Sequence, residues 1–258
     1  KGSDNEFKLS LQKTSNKKYL KLYKIKNNLV NYESDILENS LDFSHEYEDL
    51  FLGLKASAYE NLTENNTSDQ YEYILPDILL DKNLFSSDKY GYADFQSNLI
   101  FHNFETNKFT KFFINDIDWK YKQFNFSSGL NGRLLGKLKN VNYEAKNTSI
   151  YKNDTTHEVF GAIGYLSEIN LFKKIRENSK RFLTPKILIR YAPGNMREET
   201  SKTRLNHSNI FSLDRLNTNK NFESGLSATL GFDYEIEESD KKLDFSIAQI
   251  INEKENQN

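Results

Sequence analysis

The chain has no cysteine and only three prolines among 258 residues. Without thiols, neither a disulfide nor a thiolate metal site can form within it. No apolar run approaches the ~18 residues that a membrane-spanning helix needs. That absence carries no weight against a β-barrel, whose signal per strand is weak. A surplus of charge is also missing: 35 Lys and Arg stand against 37 Asp and Glu, for a net charge of -2. Nothing therefore points to a nucleic-acid partner. The four histidines, His45, His102, His157 and His207, are scattered. None stands in a His-x-x-x-His or Glu-x-x-His spacing, which argues against a metal site. There is no Gly-x-Ser-x-Gly, no phosphate-binding Walker loop and no dinucleotide fingerprint. These spacings alone therefore give no sign of a cofactor site or of a metal site built on histidine.

Aromatic residues, by contrast, are abundant, with 19 Phe and 15 Tyr, although hydrophobic residues make up only 37%. Disordered chains are poor in aromatics. Strands that are apolar on alternate residues only would give this composition. The run Phe222–Ile236 shows the pattern most clearly. Its even positions from Leu226 are Leu226, Ala228, Leu230, Phe232, Tyr234 and Ile236. Its odd positions are Glu223, Gly225, Ser227, Thr229, Gly231, Asp233 and Glu235. Side chains on a strand alternate between two faces, so one face is apolar and the other polar. At ~3.3 Å per residue, about fifteen residues exceed the ~30 Å of a bilayer core. Globular strands usually run about 5–6 residues. A long strand with lipid on one face and water on the other is what a membrane barrel needs.

Similar alternation recurs. Ala93, Phe95, Ser97, Leu99 and Phe101 form one face. Phe109, Phe113, Ile117, Trp119 and Tyr121 form another, opposite Asp116, Asp118, Lys120 and Lys122. Leu130, Gly132, Leu134, Gly136 and Leu138 follow, and later Leu183, Pro185, Ile187, Ile189 and Tyr191. Tyr19–Tyr23 reads as a short strand, and Leu37, Leu41 and Phe43 share one parity. Pro76 confines its segment to a strand start or an edge. Lys173–Arg181 reads as a charged turn; it is either plainly solvated or able to bind lipid phosphates. Glu60–Gln70, Glu144–Thr156 and Asn195–Asn209 read as long polar loops, set against short turns elsewhere. That asymmetry suits a barrel. Roughly ten to twelve antiparallel strands are predicted, with no helix. The expected fold is all-β: an antiparallel transmembrane outer-membrane β-barrel, present in part. The alternatives are a different outer-membrane channel or receptor barrel, or a soluble β-sandwich binding module with short strands.

Two blocks resemble a known family. Leu183–Gly194 is similar to a segment of the barrel domain of the LPS-assembly protein LptD, or organic solvent tolerance, family. So is Asn209–Leu216, with its Leu213-Asp214-Arg215-Leu216, followed by Phe222-Glu223-Ser224-Gly225-Leu226. Weaker similarities at Tyr71–Leu80 and Gly91–Asn103 extend the resemblance over Tyr71–Gln249. Members of that family usually carry cysteines that tie a periplasmic domain to the barrel. This chain carries none. A piece internal to the barrel accounts for that, as does a lineage without those cysteines.

The resemblance implies an outer-membrane protein that inserts lipopolysaccharide into the outer leaflet without making or breaking a bond. The partners it implies are lipopolysaccharide, the plug lipoprotein LptE and the periplasmic bridge protein LptA. Residues 1–258 are then expected to form a single partial barrel domain. The N-terminal periplasmic jelly roll and the barrel ends would lie outside it. The candidate residues are Asp214 and Arg215 of the family motif, Arg190 on a polar strand face, and Glu223 and Gly225 on the polar side of Phe222–Ile236. Asp214 and Arg215 either pair with each other to shape a loop or touch the plug or the lipopolysaccharide path. Arg190 and Lys186 either make lumen salt bridges or meet sugar-phosphates. Asp116 and Asp118 are expected to be lumen charges balanced by Lys120 and Lys122, with a metal or acid pair as the alternative.

Overall fold

A computed structural model of the chain describes residues 2–27, 30–63, 70–105, 107–176, 179–195, 204–216, 218, 221–238 and 241–253. Parts of the Glu60–Gln70 and Asn195–Asn209 loops and of the Lys173–Arg181 turn lie outside these residues. The elements are β1 (Asp4–Ser10), α1 (Tyr19–Tyr23), β2 (Ile36–Tyr47), β3 (Leu50–Asn61), β4 (Tyr71–Ser87) and β5 (Gly91–Glu105). They continue with β6 (Lys108–Lys120), β7 (Phe124–Asn125), β8 (Leu130–Lys146), β9 (Thr156–Ile169) and β10 (Leu171–Arg176). Last come β11 (Ser179–Ala192), β12 (Gly225–Glu238) and β13 (Lys241–Asn252).

Among the described residues all thirteen strands belong to one sheet, in the order β1-β2-β3-β4-β5-β6-β8-β9-β11-β12-β13, with β7 on β8 and β10 on β11. The registered pairs are antiparallel. Each strand therefore pairs with its neighbour in the chain, as an up-and-down barrel wall requires. β4 and β8 reach 17 residues each, far beyond the ~5–6 usual in globular sheets. Length and the single sheet together rule out the sandwich. Successive connections fall at opposite ends of such strands. Residues 11–35, 62–70, 106–107, 147–155 and 193–224 connect strands at one end, all of them long except 106–107. Residues 48–49, 88–90, 121–129, 177–178 and 239–240 connect them at the other, all of them short except 121–129, which carries β7.

The chain divides into two compact units. In the unit of Lys1–Asn83, Phe95–Asn115 and Asn140–Glu158, cross-strand pairs build a continuous apolar face. Phe7 lies opposite Phe43 and Leu9 opposite Leu41. Phe43 in turn lies opposite Leu54, which faces Ile78. Pro76 sits in the interior of β4, against the expectation of a strand start or edge. Lys55 pairs with Asp77 and Ser57 with Ile74, so Leu75 and Pro76 together oppose Ala56. This is a β-bulge, where no ladder hydrogen bond asks for the missing N–H. The extra residue also reverses side-chain parity. Tyr71 and Tyr73 on one side of it and Ile78 and Leu80 on the other all face even-numbered residues of β3. The same face stays apolar through the shift.

Tyr19–Tyr23 is a helix, against the expected strand. On a strand Leu20 and Leu22 would share a face. Here Leu20 is 5% exposed and Leu22 72%, as residues two apart on a helix must be. Leu20 packs with Leu37 and Leu62. That covers Leu37, while Leu41, of the same parity, stays exposed.

In the unit of Leu84–Asp94, Asp116–Lys139 and Val159–Asn258, Ile189 lies between Tyr165 and Ala228, and Tyr191 between Ile163 and Leu226. Leu230, Phe232, Tyr234 and Ile236 extend that face along β12, and Ile251, Ile247, Phe245 and Leu243 along β13. β9 and β10 share one register on β11 and are interrupted at Asn170, next to Pro185, which has no N–H to offer the ladder. Lys173–Arg181 is consequently a strand hairpin and not a long turn, with Lys173 opposite Arg181 and Lys174 opposite Lys180.

Candidate functional site

The opposite face of β11 and β12 is polar and is covered by the second half of the 193–224 connection. Leu213 and Phe222 of that connection pack with Ala162, Leu188 and Ala192 of the strands, backed by Leu135, Phe160, Leu166 and Phe211. Gly164 makes the approach possible. A Cβ there would lie 2.7 Å from Leu213 Cδ2 and 3.2 Å from the Ile189 carbonyl oxygen. Burial of such side chains contributes about 1.5–3 kcal/mol each, enough to hold a loop against a wall.

Two arginines fix its position. Arg215 is 0% exposed. Its Nε donates to Glu223 Oε2 and its Nη2 to Glu223 Oε1, both at 2.9 Å. Its Nη2 also donates to Ser227 Oγ at 2.8 Å and its Nη1 to Thr229 Oγ1 at 3.2 Å. The planar fork thus joins the loop carboxylate to two hydroxyls on the inner face of β12 in one plane, a geometry that lysine cannot supply. Arg190, from β11, donates through Nε to the Leu213 carbonyl at 2.7 Å and through Nη2 to the Glu223 carbonyl. Its guanidinium carbon lies 5.1 Å from the Phe222 ring centroid.

A lysine extends the cluster to β8. Lys139 Nζ donates to Asp214 Oδ2 at 2.6 Å and to the Thr218 carbonyl at 2.5 Å, and lies 3.8 Å from Asp116 Oδ2. Lys137 is 2.6 Å from Asp118 and 3.6 Å from Asp116. Three cations, Lys137, Lys139 and Arg215, thus pair with four carboxylates, Asp116, Asp118, Asp214 and Glu223, while Arg190 donates to backbone carbonyls beside them. Buried charges are tolerated only when matched in this way. Lys186 pairs with Asp233 on the same face.

The structure brings Arg190, Asp214, Arg215 and Glu223 together, although not as a motif-internal pair. Asp214 turns to Lys139, and Arg215 to Glu223. Glu223 lies in the loop, since β12 begins at Gly225. Gly225 contributes backbone only: its φ is +100°, which favours glycine, and no atom lies within 4 Å of where a Cβ would be. Asp116 and Asp118 are balanced by Lys137 and Lys139, not by Lys120 and Lys122 as expected. Lys120 instead lies 5.3 Å from the Tyr92 ring centroid. Lys139, Ser227, Thr229 and Phe222 were not among the expected site residues. A lysine at an inward position of β8 was the one available signal. Among the described residues no group of three or more His, Asp or Glu side chains could hold a metal ion.

Long antiparallel strands in one up-and-down sheet, apolar on one face and charged on the other, define the wall of an outer-membrane β-barrel. The family model described as "LptD: LPS transport system D" matches residues 2–258, and the chain belongs to that family. No curated protein matches it. Family membership places the chain in the outer membrane and in lipopolysaccharide transport.

Proposed function

We propose that the chain forms part of a barrel that inserts lipopolysaccharide into the outer leaflet, with LptE as plug and LptA as the periplasmic bridge that delivers the substrate. The strand order ends at β1 and β13, which leaves two edges for further strands of a larger barrel. Within it, the 193–224 connection is held on the inner wall by Arg190, Asp214, Arg215 and Glu223, with Gly225 turning the chain into β12. The observation that carries this reading is the buried fork of Arg215 on Glu223, Ser227 and Thr229. Arg215, Glu223, Ser227 and Thr229 spend these hydrogen bonds on one another, so their role is to shape the lumen and not to grip the glycolipid. No covalent step is involved, and the work lies in giving a charged head group a polar path beside an apolar outer band.

The test uses cells whose only copy of the parent gene is depleted or carries Arg215→Ala, with surface lipopolysaccharide read by impermeant labelling. Depletion should abolish new surface labelling, and Arg215→Ala should reduce it severalfold. Full labelling after depletion would contradict the role in insertion.

A further inference from the structure

The β10–β11 hairpin carries a pair of cations that the salt bridges of the wall do not use. Lys173 lies directly opposite Arg181. Both are exposed. Arg181 faces Ile236 of β12, which faces Leu243 of β13. Neither cation has an ion-pair partner among the described residues. Like charges directly opposite each other on a sheet are destabilising unless an anion joins them.

Their parity shows where that anion would come from. Arg181 has the parity of Leu183, Ile187, Ile189 and Tyr191, the apolar outer face. Lys173 follows Leu171, which pairs with Leu183 on the same face. Tyr234 and Phe245, aromatic and cross-strand paired, lie one step inward, as in the aromatic girdle of a barrel. Tyr191 and Arg181 are ten residues apart on β11. At ~3.3 Å per residue and a tilt of ~40°, that spans roughly 25 Å, the height of a barrel's apolar band. With Tyr191 at one boundary, Arg181 and Lys173 stand at the other, level with lipid head groups. The short connections mark that boundary as the periplasmic one. Lys174 and Lys180 on the other face differ, because Lys180 has Glu237 opposite it.

We infer that Lys173 and Arg181 form a binding site for the phosphate of an anionic phospholipid in the periplasmic leaflet. The guanidinium meets two phosphate oxygens and the ammonium acts as a point charge beside it. The alkyl stems lie along the apolar face.

The test is native mass spectrometry of the full-length protein in detergent, titrated with phosphatidylglycerol and, separately, with phosphatidylethanolamine and lipopolysaccharide. Lys173→Gln with Arg181→Gln should weaken phosphatidylglycerol binding about thirtyfold, at roughly 1 kcal/mol per cation. The charge-keeping swap Lys173→Arg with Arg181→Lys should stay near the parent. Lys174→Gln with Lys180→Gln, which removes equal charge from the other face, should change binding by less than about twofold. If the double variant fails to fold, each single variant should still weaken binding about fivefold. The inference is overturned if phosphatidylethanolamine binds as tightly, if the other-face variant weakens binding equally, or if the pair holds lipopolysaccharide and not phosphatidylglycerol.

Discussion

Arg215 and Glu223 lie eight residues apart in one connection and meet as a buried bidentate pair, with both contacts at 2.9 Å. The pair closes the loop on itself, and Ser227 and Thr229 tie it to β12. Removing one partner leaves the other charge buried alone, which costs about 3–5 kcal/mol. Arg215→Ala and Glu223→Ala should each lower the unfolding midpoint of the barrel in detergent. The double variant should cost less than the sum of the two, with a coupling of ~1 kcal/mol or more. Strict additivity in that cycle would show that the two residues do not act as a pair.

Lys139 stands between Asp116 and Asp214, at 3.8 and 2.6 Å. Lys139→Met should destabilise by about 3 kcal/mol or more, because two buried carboxylates would then face each other. Adding Asp214→Asn should recover part of that loss. The check is chemical denaturation of the three variants side by side.

Gly164 gives Leu213 its space. Gly164→Ala should cost about 1–3 kcal/mol by overpacking, and Leu213→Ala in the same chain should relieve the clash. If Gly164→Ala is as stable as the parent, the loop does not lie on β9.

Pro76 acts by its place in the count more than by its chemistry. Deleting it would turn Tyr71, Tyr73 and Leu75 toward the inner face, since a one-residue slip exchanges the faces of a strand. The deletion should abolish assembly, read as loss of the heat-modifiable band on electrophoresis. Pro76→Ala should assemble. Equal assembly of both would remove the bulge from the account.

On the outer face, Ile187 pairs with Leu230 midway between Tyr191 and Leu183. Leu230→Arg should cost about 2–4 kcal/mol in bilayers, and Tyr191→Arg, near the boundary, only about 0–1 kcal/mol. Equilibrium folding into vesicles reads the difference.

The barrel pattern was legible because its cause is local. Alternation at Leu226–Ile236 and Leu183–Tyr191 follows from lipid on one face and water on the other. Where a tertiary contact decides, the pattern misleads. Tyr19–Tyr23 alternates like a strand, yet Leu20 is drawn to Leu37 and Leu62 and the segment winds into a helix. The only local sign of the bulge is Pro76 itself, which fits a strand start or an edge equally well, and the register opposite Ala56 decides between them. The cluster was legible only in part. Arg215, Asp214, Glu223 and Arg190 stood out through a family resemblance. Their partners did not, because Lys139 and Asp214 are brought together by pairing of strands across 75 residues.

The most direct measurement is a spin-label scan of single cysteines from Leu213 to Ile236, which the absence of native cysteine in this chain favours. Accessibility to oxygen reports lipid contact, and accessibility to a polar nickel chelate reports water. Leu226, Leu230 and Phe232 should be open to oxygen, Ser227 and Thr229 shielded from it, and Leu213 and Phe222 shielded from both reagents. Loss of the two-residue period along β12, or free chelate access at Leu213 and Phe222, would contradict a lipid-facing wall with its loop clasped inside.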